Sequence, residues 1–268
     1  MVSISTLAFD GLNVLKFAEV LRQEHDTETG LELFFDTLPF TNGAYYRRYM
    51  ADFIQDRRVG VHCPIINCDI LADEGTLLYQ YSIDRHEECL ELAAQVNSPY
   101  MVLHTNSTLP INKKDLQRKK DILPERLRLL CEMAQRYGCE LWVENVGFTR
   151  YGNIVADLDF YTELILTNKS FYSLIDLGHA YMNGWDIPAL LDLLGGRVRG
   201  LHVHDNDGVT DQHAPIFHGG IHWGPVFDAL RRLPADCTMI LEYQSQTSRG
   251  ELLLGRTVLR EKLQETAD

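Results

Sequence analysis

The chain has 268 residues, 45% of them hydrophobic and 24% charged, enough for one large α/β domain or two small ones with a substantial core. Its net charge of −13 argues against nucleic acid as a partner, because phosphate backbones are gripped by clustered Lys and Arg. No apolar run reaches the roughly 18 to 20 residues needed to cross a bilayer, the N-terminal MVSISTLAFDG lacks signal-peptide regions, and the six cysteines form no CxxC pair, so a reduced, soluble, cytoplasmic protein without a membrane partner is expected.

VSIS, at residues 2–5, is the first short β-branched run. LNVLKFAEVLRQEH follows, beginning at Leu12, and its apolar Leu15, Phe17, Ala18 and Leu21 form the stripe of a helix. GLELFF (30–35) and VGVHC (59–63) are the second and third strand candidates. DRHEECLELAAQVN (84–97) predicts a helix ahead of the fourth strand, YMVLH (100–104). LPERLRLLCEMAQRYG (123–138) predicts another, stopped by Gly138, before ELWVEN (140–145). FYSLID (171–176), VRGLHVH (198–204) and CTMILEY (237–243) complete the series. Strands alternating with helices, one unit per about 30 to 40 residues, predict a single (β/α)8 TIM barrel over residues 1–268. A doubly wound sheet would carry a Gly-rich phosphate loop after the first strand, and STLAFDGLN has none.

Side chains able to bind protons and metals recur where these strands end. His62 ends VGVH, His104 ends YMVLH, Glu144 ends ELWVE, Asp176 ends SLID, His202 ends RGLH and Glu242 ends TMILE. In a barrel those ends build the active site. Two residues earlier, on the same strand face, stand Gly60, Val102, Trp142, Leu174, Gly200 and Ile240, all apolar or small as a packed interior requires. Glu144, Asp176, His202 and Glu242 converging on one barrel mouth would repel and desolvate one another without a cation. Their mixed oxygen and nitrogen set suits Mn2+, Mg2+, Co2+ or Zn2+.

GLELFF, WVEN, IDLGHA, HVHDNDGVTDQH and ILEY, placed at strands two, five, six, seven and eight, resemble the xylose-isomerase-like barrels along essentially the whole chain. That family includes sugar isomerases and epimerases, inosose dehydratases and endonuclease IV. The resemblance implies a core metal site of Glu144, Asp176, His202 and Glu242, with Glu144 and Glu242 also exchanging protons beside a substrate carbonyl through a metal-stabilised enediolate. It implies a small carbohydrate-like substrate and an isomerase or epimerase, with a dehydratase as an alternative that shares the first step.

The resemblance extends to the three-zinc arrangement of endonuclease IV, whose further ligands fall on His62, His104, His179, Asp211 and His213; a zinc phosphodiesterase is therefore the other alternative. The same residues would otherwise contact substrate oxygens, His179 among them. His204, Asp205 and Asp207 are left to loop hydrogen bonding. Ketose 3-epimerases of this type resemble one another in an arginine shortly after the strand-seven histidine and a glutamate six residues after the strand-five one. Here the first region reads VHDNDGV and the second position is Arg150, a candidate for binding a substrate carboxylate or phosphate.

INKKDLQRKKDILPERLR, with Lys113, Lys114, Arg118, Lys119, Lys120, Arg126 and Arg128, reads as a solvated helix face. FHGGIHWGPVFDAL resembles a family loop that closes over the substrate. Phe9, Phe35, Trp185 and Tyr243 are read as an apolar pocket side or as plain packing, and Cys63 as a buried small side chain. A homo-oligomer stays open.

Overall fold

Eight parallel strands close into a barrel in sequence order. They are β1 Val2–Ser5, β2 Gly30–Phe34, β3 Val59–His62, β4 Tyr100–Leu103, β5 Glu140–Glu144, β6 Tyr172–Asp176, β7 Val198–Val203 and β8 Thr238–Leu241. This computed structural model describes residues 1–9, 13–37, 54 and 57–265. Leu12, at the head of the first predicted helix, lies outside them. The described α-helices are α1 Asn13–Gln23, α2 Leu77–Gln95, α3 Lys113–Arg136, α4 Leu158–Thr167, α5 Leu177–Met182, α6 Ile187–Leu194, α7 Trp223–Leu230 and α8 Arg249–Gln264. The (β/α)8 architecture expected from the strand and helix spacing is the architecture found. No helix among the described residues is long and apolar enough to cross a membrane, and all six cysteines are buried and unpaired.

Two helices start earlier than their apolar spacing predicts, because caps decide where helices begin. The Thr76 hydroxyl accepts from the Tyr79 amide at 3.2 Å and starts α2 at Leu77. The Asn112 side-chain Oδ1 accepts from the amides of Lys114 and Asp115 at 3.1 and 3.0 Å and starts α3 at Lys113. Pro124 then falls inside α3, where the predicted helix had it near the first turn. The basic run is also not uniformly solvated. Lys119 is buried, bonding Asp69 at 3.3 Å and the Leu71 carbonyl at 3.1 Å. Arg126 is buried too and pairs with Glu74 at 2.6 Å. Together with an Arg118–Asp73 pair, these tie α3 to the loop that follows β3.

Strand alternation splits the core in two. Outward residues such as Val61, Met101, Val143, Ile175, Leu201 and Met239 join the layer packed against the helices. Inward Tyr100, Val102, Trp142, Leu174 and Ile240 fill the barrel. Tyr100 and Trp142 stack with ring centroids 3.6 Å apart and planes 5° from parallel. Small residues make the room they need: a methyl on Gly60 would sit 2.0 Å from the Tyr100 ring, and one on Gly200 would sit 2.7 Å from Trp142.

The last helix is tied to the first turn through Asp26, between α1 and β2. Asp26 accepts from the Thr29 amide at 2.9 Å and from Arg260 at 3.3 Å, and it pairs with Arg256. Burial works against its ionisation, but the Thr29 hydrogen bonds and Arg260 outweigh it and hold the carboxyl far below its usual range. A depressed folded pKa contributes stability above the unfolded value, and that stability is lost as pH falls below it. Asp26→Asn is therefore expected to cost about 1 to 2 kcal/mol at pH 7, screening keeping it modest. Urea midpoints should show the gap from wild type narrowing below about pH 4.

Candidate active site and metal centre

The strand ends bring the acids and histidines together at the C-terminal mouth of the barrel. Parallel pairing sets Asp176 beside His202, Phe34 beside His62, and Glu144 beside Leu174. His202 is the centre of the cluster. Its Nδ1 lies 3.2 Å from Glu242 Oε2, 3.6 Å from Glu144 Oε1 and 3.6 Å from Asp176 Oδ2. His62 Nε2 and His104 Nε2 stand 3.5 and 3.0 Å from Glu144 Oε2 and 3.2 Å from each other. On the other side, Asp211 Oδ2 lies 3.2 Å from both His179 Nε2 and His213 Nε2, and His179 Nδ1 is 3.2 Å from Glu144 Oε1. Glu144 thus borders all three groups.

His213 reaches the cluster from a left-handed backbone at φ 45°, a strained conformation for a residue with a Cβ. Its Nδ1–H donates to the Glu242 carbonyl at 2.8 Å. Likewise His62 Nδ1–H donates to the Cys63 carbonyl at 2.9 Å. Each bond fixes a proton on Nδ1, so that in the neutral ring it is the Nε2 lone pair that faces the cluster.

Burial and charge oppose each other throughout. Burial disfavours the ionised form of Glu144, yet His104 and His202 outweigh it and hold the carboxyl well below the usual range. Asp176 is held low in the same way by His179 and His204. Burial lowers the pKa of His202, but Glu242, Glu32 and Glu144 together push it well above that of free imidazole. His213, against Asp211 and Glu242, is raised to about 9 in spite of its burial.

The residues fit a divalent cation. Four donors around an ion at about 2.1 Å lie about 3.4 Å apart when tetrahedral, and the spacings about His202 Nδ1 bracket that value. His202 Nδ1, His179 Nδ1, Glu144 Oε2 and Asp211 Oδ1 are buried polar atoms without a hydrogen-bond partner, a costly condition that a cation relieves. Glu144, Asp176, His179, His202, Glu242 and the flanking acids and histidines recur in overlapping groups at metal-ligand spacing.

Above the cluster opens a cavity of about 920 Å³ lined by His62, His104, Glu144, His179, Asp211, His213 and Glu242. Of the four core residues Glu144 and Glu242 reach it, whereas Asp176 and His202 are fully buried beneath. Leu7, Phe34, Pro64, Ile65, Ile70 and Leu78 form an apolar wall on the side of β1 to β3.

Arg150 is not among the residues lining this cavity. It sits exposed on the short helix Thr149–Tyr151, donating to the Val209 carbonyl at 3.3 Å. Phe35, Trp185 and Tyr243 join the helix-side core. The Gly219–Trp223 stretch packs down instead of lying over the cavity: Asp205 accepts from Trp223 Nε1 at 2.8 Å and from the Ile221 amide at 3.1 Å.

Two buried residues escape the strand-end reading. His204, two residues past His202 on the same face, donates from Nε2 to Asp176 Oδ2 at 3.0 Å, and Gly178 leaves room for its ring. Glu32, fully buried on β2, accepts from His202 Nε2–H at 3.0 Å and from the Tyr100 hydroxyl at 3.2 Å. Its signal is the acid in the middle of GLELFF.

Comparison with known proteins finds relatives that share this fold. Residues 29–263 match the family model described as xylose isomerase-like TIM barrel. Fructoselysine 3-epimerase of Escherichia coli O157:H7 is 24% identical over 147 residues, covering 54% of this chain and 51% of that enzyme; the chain thus spans about half the length of that relative. A D-tagatose 3-epimerase-like protein superposes with a TM-score of 0.80 at 18% identity, over 98% of this chain and 96% of the other. Endonuclease IV from Thermus thermophilus superposes with a TM-score of 0.66 at 19% identity, over 99% of each chain.

Proposed function

Since the chain belongs to the xylose isomerase-like TIM barrel family, we propose that it is a divalent-metal-dependent isomerase or epimerase acting on a small polyhydroxy carbonyl compound. One observation carries this reading: only Glu144 and Glu242 of the core four face the cavity, while Asp176 and His202 lie beneath them. That division separates groups able to exchange protons with a substrate from groups able only to hold a cation. Asp176 and His202, with the inner oxygens of Glu144 and Glu242, would hold Mn2+, Mg2+, Co2+ or Zn2+. When bound, the cation supplies Lewis acidity toward substrate oxygens.

The remaining chemistry belongs to the side chains. One glutamate takes the proton from the carbon beside the carbonyl, and the other delivers a proton to the opposite face. His62, His104 and His179 border the same space and orient substrate hydroxyls. The apolar wall keeps water from the exchanging carbon. The epimerase name carried by a sequence relative supports a sugar-like substrate.

A zinc phosphodiesterase is the second reading. It is favoured by the three neighbouring donor groups that share Glu144 and opposed by the net charge of −13. A dehydratase shares the proton abstraction and differs only in expelling a hydroxyl.

Proton exchange is tested by incubating the metal-loaded protein with a panel of ketoses and keto-inositols in D2O. Deuterium entering at the carbon beside the carbonyl, with a new stereoisomer or aldose, is the expected result. Loss of a hydroxyl moves the assignment to a dehydratase. Cleavage of an abasic duplex without any carbon exchange overturns it in favour of the phosphodiesterase.

A further inference from the structure

We propose that Glu32 is the positioning residue for His202, setting its tautomer and raising the donor strength of its inward nitrogen. The inference rests on the core site holding a cation. Glu32 is fully buried on β2 and is not among the residues lining the cavity. Its Oε1 lies 3.0 Å from His202 Nε2, while the inward Nδ1 faces Glu242 at 3.2 Å. Glu32 and Glu242 therefore stand on opposite edges of one imidazole. A single ion cannot bind at both edges, so Glu32 is outside the core donor set even though it lies at ligand spacing from His202 and Glu242.

What Glu32 does follows from hydrogen-bond chemistry. A carboxylate only accepts, so it requires the proton on Nε2; when a cation displaces the second proton, the lone pair left on Nδ1 is directed at the other three donors. It also draws positive charge onto the ring and makes Nδ1 a better donor. His62 and His213 are oriented by neutral backbone carbonyls instead. His202, shared by more of the carboxylates than any other ring in the cluster, is the one held by an acid from β2. Tyr100 completes the chain by donating its hydroxyl to Glu32 Oε2 at 3.2 Å. Tyr100 is itself fixed by its stack on Trp142. The barrel's internal packing thereby reaches the ligand through two hydrogen bonds.

Glu32→Gln keeps the shape and removes the charge. Affinities for Zn2+ and for Mn2+ alone, measured by competition with a chromophoric chelator, should fall by about 10- to 100-fold. The cation-free variant is expected to melt somewhat lower than cation-free wild type, because one partner of the buried Glu32–His202 pair has lost its charge. The affinity, not the melting temperature, therefore decides the role. Unchanged affinity with a lowered cation-free melting temperature would show a merely structural residue and overturn the proposal. If Glu32→Gln does not fold, Tyr100→Phe replaces it: a several-fold loss of affinity is expected, and unaltered affinity counts against the proposal. Wild-type protein that takes up neither cation overturns the metal reading itself, and with it the role of Glu32. Wild-type binding matched by the variant overturns only the latter.

Discussion

Glu144→Gln is expected to lower turnover by about three orders of magnitude or more, with the fold retained. The amide keeps the volume but loses the charge, and Glu144 has two uses. Its Oε1 faces His202 and His179 at 3.6 and 3.2 Å, and its Oε2 faces His104 at 3.0 Å. Removing it weakens the core donor set and deletes one proton-exchanging group. General acid–base catalysis alone is worth about 10²- to 10⁴-fold, and a lost anionic ligand adds to it. Glu242→Gln should fall nearly as far, since Glu242 also reaches the cavity and stands 3.2 Å from His202 Nδ1.

Deuterium exchange separates the two uses. With cation supplied in excess, restored binding and a still-silent carbon would identify the proton-transfer role. Circular dichroism checks that each variant is folded. Wild-type rates in both variants would sink the mechanism.

Gly60→Ala should cost about 3 kcal/mol or prevent folding. The added methyl would lie 2.0 Å from the Tyr100 ring, a separation no packing tolerates. Tyr100 has nowhere to retreat, because Trp142 lies 3.6 Å beyond it and both are buried. Overpacking of this kind ordinarily costs about 1 to 3 kcal/mol, and a rigid aromatic stack puts the effect at the upper end. Thermal and urea unfolding measure it, and a midpoint within error of wild type would mean that Tyr100 does not fill the space beside Gly60. Relief by Tyr100→Leu in the double variant would tie the cost to that one contact.

The strand ends were legible because two independent patterns coincide there. An apolar inward residue followed two positions later by an acid or histidine marks both the face and the end of a barrel strand, and His62, Glu144, Asp176, His202 and Glu242 all obey it. Glu32 does not. It sits mid-strand, where an acid in GLELFF looks like an ordinary polar alternation. Its importance depends on His202, 170 residues away in sequence. His204 was hidden by a different ambiguity. Placed after a strand and before an Asp-rich loop, it gave no sign that its ring would tuck over Gly178 onto Asp176. The basic segment of α3 misled for a third reason: Lys119 and Arg126 find carboxylates on a loop that spacing alone cannot bring near.

Local pattern carries the alternation of eight strands with helices, the closed parallel sheet, and the acids and histidines that stand at the strand ends. These follow from local periodicity and from the two-residue repeat of a strand, both carried by neighbouring residues. Which glutamates open onto the cavity, which histidine nitrogen faces the cluster, that Arg150 stands outside it and that Glu32 stands behind His202 emerge only when distant segments pack together. Those outcomes depend on hydrogen bonds and burial between segments far apart in the chain, and local pattern does not encode them.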